Sequence, residues 1–162
     1  MLKRASIFLG SAALLAAPAS AQLREAALPE IFESYNDCFA ATESGSISTS
    51  SLEDLGWARA TMRDGDGNTV EDGPIIYGHG ERAPIIILSD LSGDGICMVN
   101  ARIESFDTYE EFKAAFGGKL PDANEKGEIL FSAQGHIVQI APTGSREAPA
   151  MRLVVGTRTE NN

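Results

Sequence analysis

Two histidines, two cysteines and one tryptophan are all that this chain of 162 residues carries of the side chains from which metal and nucleophilic sites are most often built. The histidines, His79 in YGHGER and His136 in QGHIVQ, belong to no His-x-x-x-His or His-x-Glu pattern, and the cysteines form no Cys-x-x-Cys. Zinc sites draw three or four such ligands from close spacings, so no metal site of that kind is expected. No G-x-S-x-G nucleophile elbow occurs; TGSRE, Thr143 to Glu147, lacks the second glycine. Glycine-rich phosphate loops and dinucleotide fingerprints are missing too, and the glycines read as turns between strands. No cofactor is expected, and no residue set is assigned a catalytic role.

Basic side chains are also scarce. Lys and Arg number 13 against 23 Asp and Glu, for a net charge of −10 at pH 7. Such a chain is repelled by phosphate backbones and anionic lipid surfaces, which argues against nucleic acid as a partner. A protein partner is expected instead, with a basic one suited to the charge.

Long hydrophobic runs are confined to the N-terminus. Lys3 and Arg4 precede an apolar stretch, Ala5 to Ala17, and then the small-residue signature Ala19-Ser20-Ala21. That is the order of a secretory leader with its cleavage site. The stretch is too short for a bilayer span, which takes about 20 residues. Gln22, not cysteine, follows the expected cut, so no lipid anchor and no stable membrane attachment is expected after cleavage. Losing Lys3 and Arg4 with residues 1–21 moves the charge from −10 to −12. The expected organisation is a leader at 1–21, one domain at 22–157 and a frayed tail at 158–162, in the periplasm or secreted.

An exported chain with an even cysteine count is expected to form a disulfide. Cys38 lies in the apolar stripe Leu28, Ile31, Phe32, Tyr35, Cys38, Phe39, Thr42, which recurs at helical spacing. Cys97 lies in ICMVNARI, where Cys97, Val99, Ala101 and Ile103 alternate onto one strand face. Both periodicities turn sulfur toward a core. The bridge closes 59 positions, worth about 4 kcal/mol in chain-entropy terms.

The remaining elements follow from pattern. Ser50 with Glu53 predicts a capping box for a short helix ending at Gly56, and Trp57 opens a strand as a core anchor. PIIYG and PIIILS are strands opened by proline. The continuous apolar run Ile85 to Leu88 predicts a central strand covered on both faces. SFDTYEEFKAAFGG predicts a helix capped by Asp107, burying Tyr109, Phe112 and Phe116 and ended by Gly117. EILFSA, HIVQIAP and AMRLVVG give three more strands, with a tight hairpin at Gly135. Helix, short helix, four strands, helix, three strands, joined by mostly short links, reads as α+β. The expected fold is an antiparallel sheet of six to seven strands with helices on one face and one disulfide from the N-terminal helix to a central strand.

Two loops stand out as candidates for interaction, since binding residues concentrate on loops held by a scaffold. RDGDGNTVED carries Asp64, Asp66 and Asn68 with the alternation of a calcium loop, but Thr69 takes the place of the required glycine and Ile75 that of the bidentate glutamate. A long β-hairpin loop is the favoured reading there. SDLSGDGICMVN fits the same template at Asp90, Ser92, Asp94 and Gly95 and fails at Ala101, so it too reads as a turn. YGHGERAP offers His79, Glu81 and Arg82 between glycines. The expected function is a binding or interaction protein of inhibitor-like or envelope-accessory type. The less favoured alternative is a small exported hydrolase pairing His79 or His136 with a carboxylate.

Overall fold

The computed structural model describes residues 23–70, 73–89, 91 and 95–158. The expected leader, the tail beyond Arg158, and Glu71, Asp72, Asp90 and Ser92 to Asp94 lie outside the described residues. Arg158 itself is tied down, its N–H donating to the Thr42 carbonyl at 2.9 Å.

The chain forms helix α1 (Leu28–Thr42), helix α2 (Thr49–Asp54), strands β1 (Trp57–Arg59), β2 (Ile75–His79), β3 (Ile85–Leu88) and β4 (Ile96–Arg102), helix α3 (Phe106–Ala114), and strands β5 (Ile129–Ala133), β6 (His136–Gly144) and β7 (Pro149–Gly156). All seven strands join one antiparallel sheet in the order β1-β2-β3-β4-β7-β6-β5. The first four strands are hairpin-connected. Helix α3 then crosses the sheet, and the last three strands return so that β7 pairs with β4 at the centre.

Local sequence explains most boundaries. Pro29 sits in the first turn of α1, where a missing N–H is harmless, and Glu30 accepts the Ala27 N–H at 3.1 Å. Two caps differ from the sequence reading. Ser48, not Ser50, caps α2, accepting the Ser51 N–H at 3.3 Å and sharing a 2.8 Å bond with the Ser51 hydroxyl. Ser105, not Asp107, caps α3 through the Asp107 N–H. Asp107 falls instead in the first turn, where the helix dipole favours a negative charge. The tight hairpin between β5 and β6 turns on Gln134 and Gly135, both at positive φ (53° and 87°), as a two-residue loop of matching twist requires.

The helices cover one face of the sheet. There Tyr77, Ile86, Leu88, Cys97, Val99, Leu153, Val155, Val138 and Ile140 are buried beneath α1 and its neighbours. Cys38 and Cys97 are bridged, with Cα atoms 5.4 Å apart, so α1 is bolted to β4 at mid-sheet. Phe32 stacks on Phe112 at 4.5 Å between centroids, fastening α3 to α1. The two-sided cover expected for Ile85 to Leu88 is not what the sheet provides. Ile86 and Leu88 are buried under the helices, whereas Ile85 and Ile87 point to the other face and are half-buried. Their cross-strand neighbours are Gly78 and Asn100 for Ile85, and Ile76 and Met98 for Ile87.

Tyr109 of α3 donates its hydroxyl to the Gly127 carbonyl at 2.8 Å. Burial, and then the charges of Glu110 and Glu128, push its pKa up to about 12. Burial also raises the Tyr35 phenol. An unfolded tyrosine ionises near 10, so the folded pKa lies above the unfolded one. The contribution of the buried phenol is therefore complete below about pH 10 and drains away as the pH rises to about 12. Urea midpoints measured across that window should fall steadily, and less so in Tyr109→Phe. A midpoint that stays level to pH 12 in the parent would contradict this placement.

Candidate interaction surface

The YGHGERAP loop is pulled into a network with α1. Arg82 pairs through Nη1 with Asp37, and its Nε lies 3.2 Å from Glu33 Oε2. Trp57 donates its indole N–H to the same Asp37 oxygen at 2.9 Å, and the guanidinium sits 6.0 Å from the Trp57 ring centre. His79 packs edge-on to Trp57 at 5.3 Å. Its Nδ1 accepts the Glu81 N–H at 3.1 Å, which places its proton on Nε2, facing the Leu55 carbonyl at 3.2 Å. Both ring nitrogens are thus engaged by backbone. His79 and Arg82 fasten the β2–β3 loop to α1 and β1, while the Glu81 side chain has no role in that network. The sequence reading missed Asp37 as the hub because it falls off the apolar stripe of α1.

The acidic loop is self-contained. Asp64 Oδ1 accepts the N–H groups of Asp66 (3.0 Å) and Asn68 (2.8 Å), and Asn68 Nδ2 donates to Asp64 Oδ2 at 3.2 Å. Arg63 donates to the Gly67 carbonyl at 2.9 Å. The backbone N–H of Asn68 is the largest cause holding the Asp64 carboxyl below its ordinary range. The Asp/Asn alternation therefore shapes a turn. This loop and the His79 loop extend from opposite ends of the β1–β2 hairpin, where Trp57 pairs with His79 and Arg59 with Tyr77. The two candidate loops do not form one site.

His136 is 3% exposed. Its Nδ1–H donates to the Gly156 carbonyl at 2.8 Å, with the Thr42 hydroxyl 3.4 Å away, and its ring meets Phe39 edge-on at 5.0 Å. Nε2 has no hydrogen-bond partner among the described residues. The ring lines a cleft of about 370 Å³ with Glu43, Gln134 and Arg158. No serine or cysteine lines that cleft among the described residues, and the Thr42 hydroxyl is committed to the Cys38 carbonyl at 2.7 Å.

The face of the sheet that the described residues leave uncovered is the largest feature that the sequence reading did not foresee. Strand register places Ile76, Ile87, Met98, Val154, Gln139 and Leu130 side by side in one row across six strands. Beside it, Ile96 and Ile137 flank Gly156. Leu130 and Ile137 are 65% and 59% exposed. A solvated sheet face ordinarily alternates to polar residues. Here the polar ones, Asn100, Arg102, Arg152, Ser132, Gln139 and Thr143, share the face with Ile76, Ile87, Met98, Val154, Leu130, Ile96 and Ile137. None of the seven strands contains an aspartate or glutamate, although the chain has 23 of them. On this face the strands carry charge only as Arg102 and Arg152, toward the end of the sheet away from Gly156. No helix of the described residues is long and apolar enough to cross a membrane.

Compared with protein-family models, with curated proteins and with solved structures, the chain matches none.

Proposed function

We propose that the protein is an exported binding protein that engages another protein through the uncovered face of its sheet. The observation that carries this reading is the apolar, acid-free character of that face in an otherwise acidic chain. Exposed apolar side chains scattered singly need no explanation, but a contiguous row spanning a sheet marks an interaction surface. A leader-like N-terminus and a Cys38–Cys97 bridge support a periplasmic or secreted location. The acidic helices and loops keep copies apart and leave the open face as the preferred contact.

Mature protein immobilised in envelope extract should retain a saturable partner. Leu130→Glu with Ile137→Glu should lose that partner while melting within a few degrees of the parent, because both side chains are already largely in water. Undiminished capture by the double variant would count against the reading.

The hydrolase alternative rests on the His136 cleft alone, where an imidazole whose Nε2 has no hydrogen-bond partner among the described residues shares a wall with Glu43. With no described nucleophile lining the cleft, it would have to activate water.

A further inference from the structure

The His136 cleft lies where the β5–β6 turn meets the ends of α1 and β7. It is on the helix side of the sheet, since His136 shares its strand face with the buried Val138 and Ile140. His136 is almost fully buried, and its Nδ1–H is spent on the Gly156 carbonyl. Nε2 is then the acceptor of the uncharged ring. It has no hydrogen-bond partner among the described residues. Nor is it one of the described polar atoms closed off from solvent, which are the Nε atoms of Arg102 and Arg152. A buried ring with one nitrogen open to a cleft calls for a donor from outside the fold.

The charged walls of the cleft are fixed as well. The Arg158 N–H is bonded to the Thr42 carbonyl, and its side chain lies along Gly135, with Nε 3.2 Å from the place a Cβ would occupy. The glycine that the turn requires, at φ 87°, is also what lets the arginine lie there. Glu43 caps the C-terminus of α1, the negative end of the helix dipole, and the last turn of that helix carries no basic residue. Glu43 and Arg158 line the same cleft, yet none of the described ion pairs joins them. Phe39 and Ala40 complete the wall with apolar surface.

We infer that the cleft binds a free α-amino acid, with its ammonium held by Glu43 and His136 Nε2 and its carboxylate by Arg158. A plain anion would meet the repulsion of Glu43, and a plain cation that of Arg158, whereas a zwitterion satisfies both. A divalent metal would be left with two ligands, for no group of three or more His, Cys, Asp or Glu gathers among the described residues. The volume of about 370 Å³ is at the small end of ligand pockets, about 300–1,000 Å³, which suits a single amino acid. This site is independent of the uncovered face, and its failure would leave that reading untouched.

Calorimetry of mature protein with L-leucine, leucinamide, N-acetyl-leucine and leucyl-leucine tests it, the leucine side chain being chosen for the Phe39 wall. L-leucine should bind saturably with a Kd below about 1 mM. Leucinamide lacks the carboxylate and N-acetyl-leucine the ammonium, and each should bind at least about tenfold more weakly. Arg158→Gln should remove the preference over leucinamide, and Glu43→Gln the preference over N-acetyl-leucine. Both variants should melt close to the parent, because both side chains are exposed. In ¹⁵N-labelled parent protein, leucine should move the His136 Nε2 resonance, a response that a purely structural imidazole would not give. Absence of saturable leucine binding, equal binding of leucine and its two capped forms, or an Nε2 resonance that leucine leaves in place overturns the inference. Leucyl-leucine binding more tightly than leucine would assign the cleft to peptides and overturn it too.

Discussion

Replacing Cys38 and Cys97 together with alanine should lower stability by about 4 kcal/mol. The bridge closes a separation of 59 residues, and the unfolded chain regains that loop entropy when it is cut. Small domains hold a net stability of roughly 5–15 kcal/mol, so between about a quarter and four-fifths of the margin is at stake. For a domain of this size the loss corresponds to a fall in melting temperature of roughly 10–20 °C. The position makes the effect hard to evade. Cys38 and Cys97 are both fully buried, and they join the longest helix to the central strand of the sheet. Denaturant curves of oxidised, reduced and double-alanine protein would check it. A double variant within about 1 kcal/mol of the parent would show that native packing alone holds α1 on β4.

Asp37→Ala should cost about 3–5 kcal/mol, the usual penalty for stripping the partner from a buried charge. Asp37 accepts both the Arg82 guanidinium and the Trp57 indole N–H, and the side chains of Arg82 and Asp37 are only 19% and 11% exposed. Removing the carboxylate leaves the half-buried Arg82 cation with only the exposed Glu33 and strands the buried Trp57 N–H donor. Glu33 provides the contrast. It pairs with the same Arg82 but is 59% exposed, so Glu33→Ala should cost less than about 1 kcal/mol. Combining Asp37→Ala with Arg82→Met should be milder than Asp37→Ala alone, because the under-compensated cation leaves with its main partner. Equal losses for Asp37→Ala and Glu33→Ala in urea denaturation would sink this account of the hub.

How much of this was legible beforehand depends on how local the cause is. The disulfide was readable because two separate periods, helical at Cys38 and alternating at Cys97, each turned a sulfur inward. The element order was readable because proline, glycine and apolar period mark each segment within a few residues. Cap positions slipped where several cap-capable residues lie close together, as with Ser48 and Ser50, or Ser105 and Asp107. The Arg82–Asp37 contact was not readable, since its partners are 45 residues apart and Asp37 lies off the helical stripe. A loop residue that looked free to bind is spent on holding the loop.

The uncovered face was partly written in the chain. The run Ile85 to Leu88 announced apolar residues on both sides of a strand, and burial on both sides was the natural conclusion. What could have qualified it is the helix count: three helices, as many as the described residues form, are too few to cover both faces of seven strands. The scarcity of acids in the strand segments was visible as well, with Glu128 of EILFSA as the exception. The gathering of the apolar residues into one row required the register.

The central claim is that a partner sits on this face. A photo-crosslinking residue placed at position 137, on the open face, and another at 110, on the exposed side of α3, would test it in cells. The account requires a discrete adduct from position 137 and none from position 110. An adduct from 110 with nothing from 137 would contradict it.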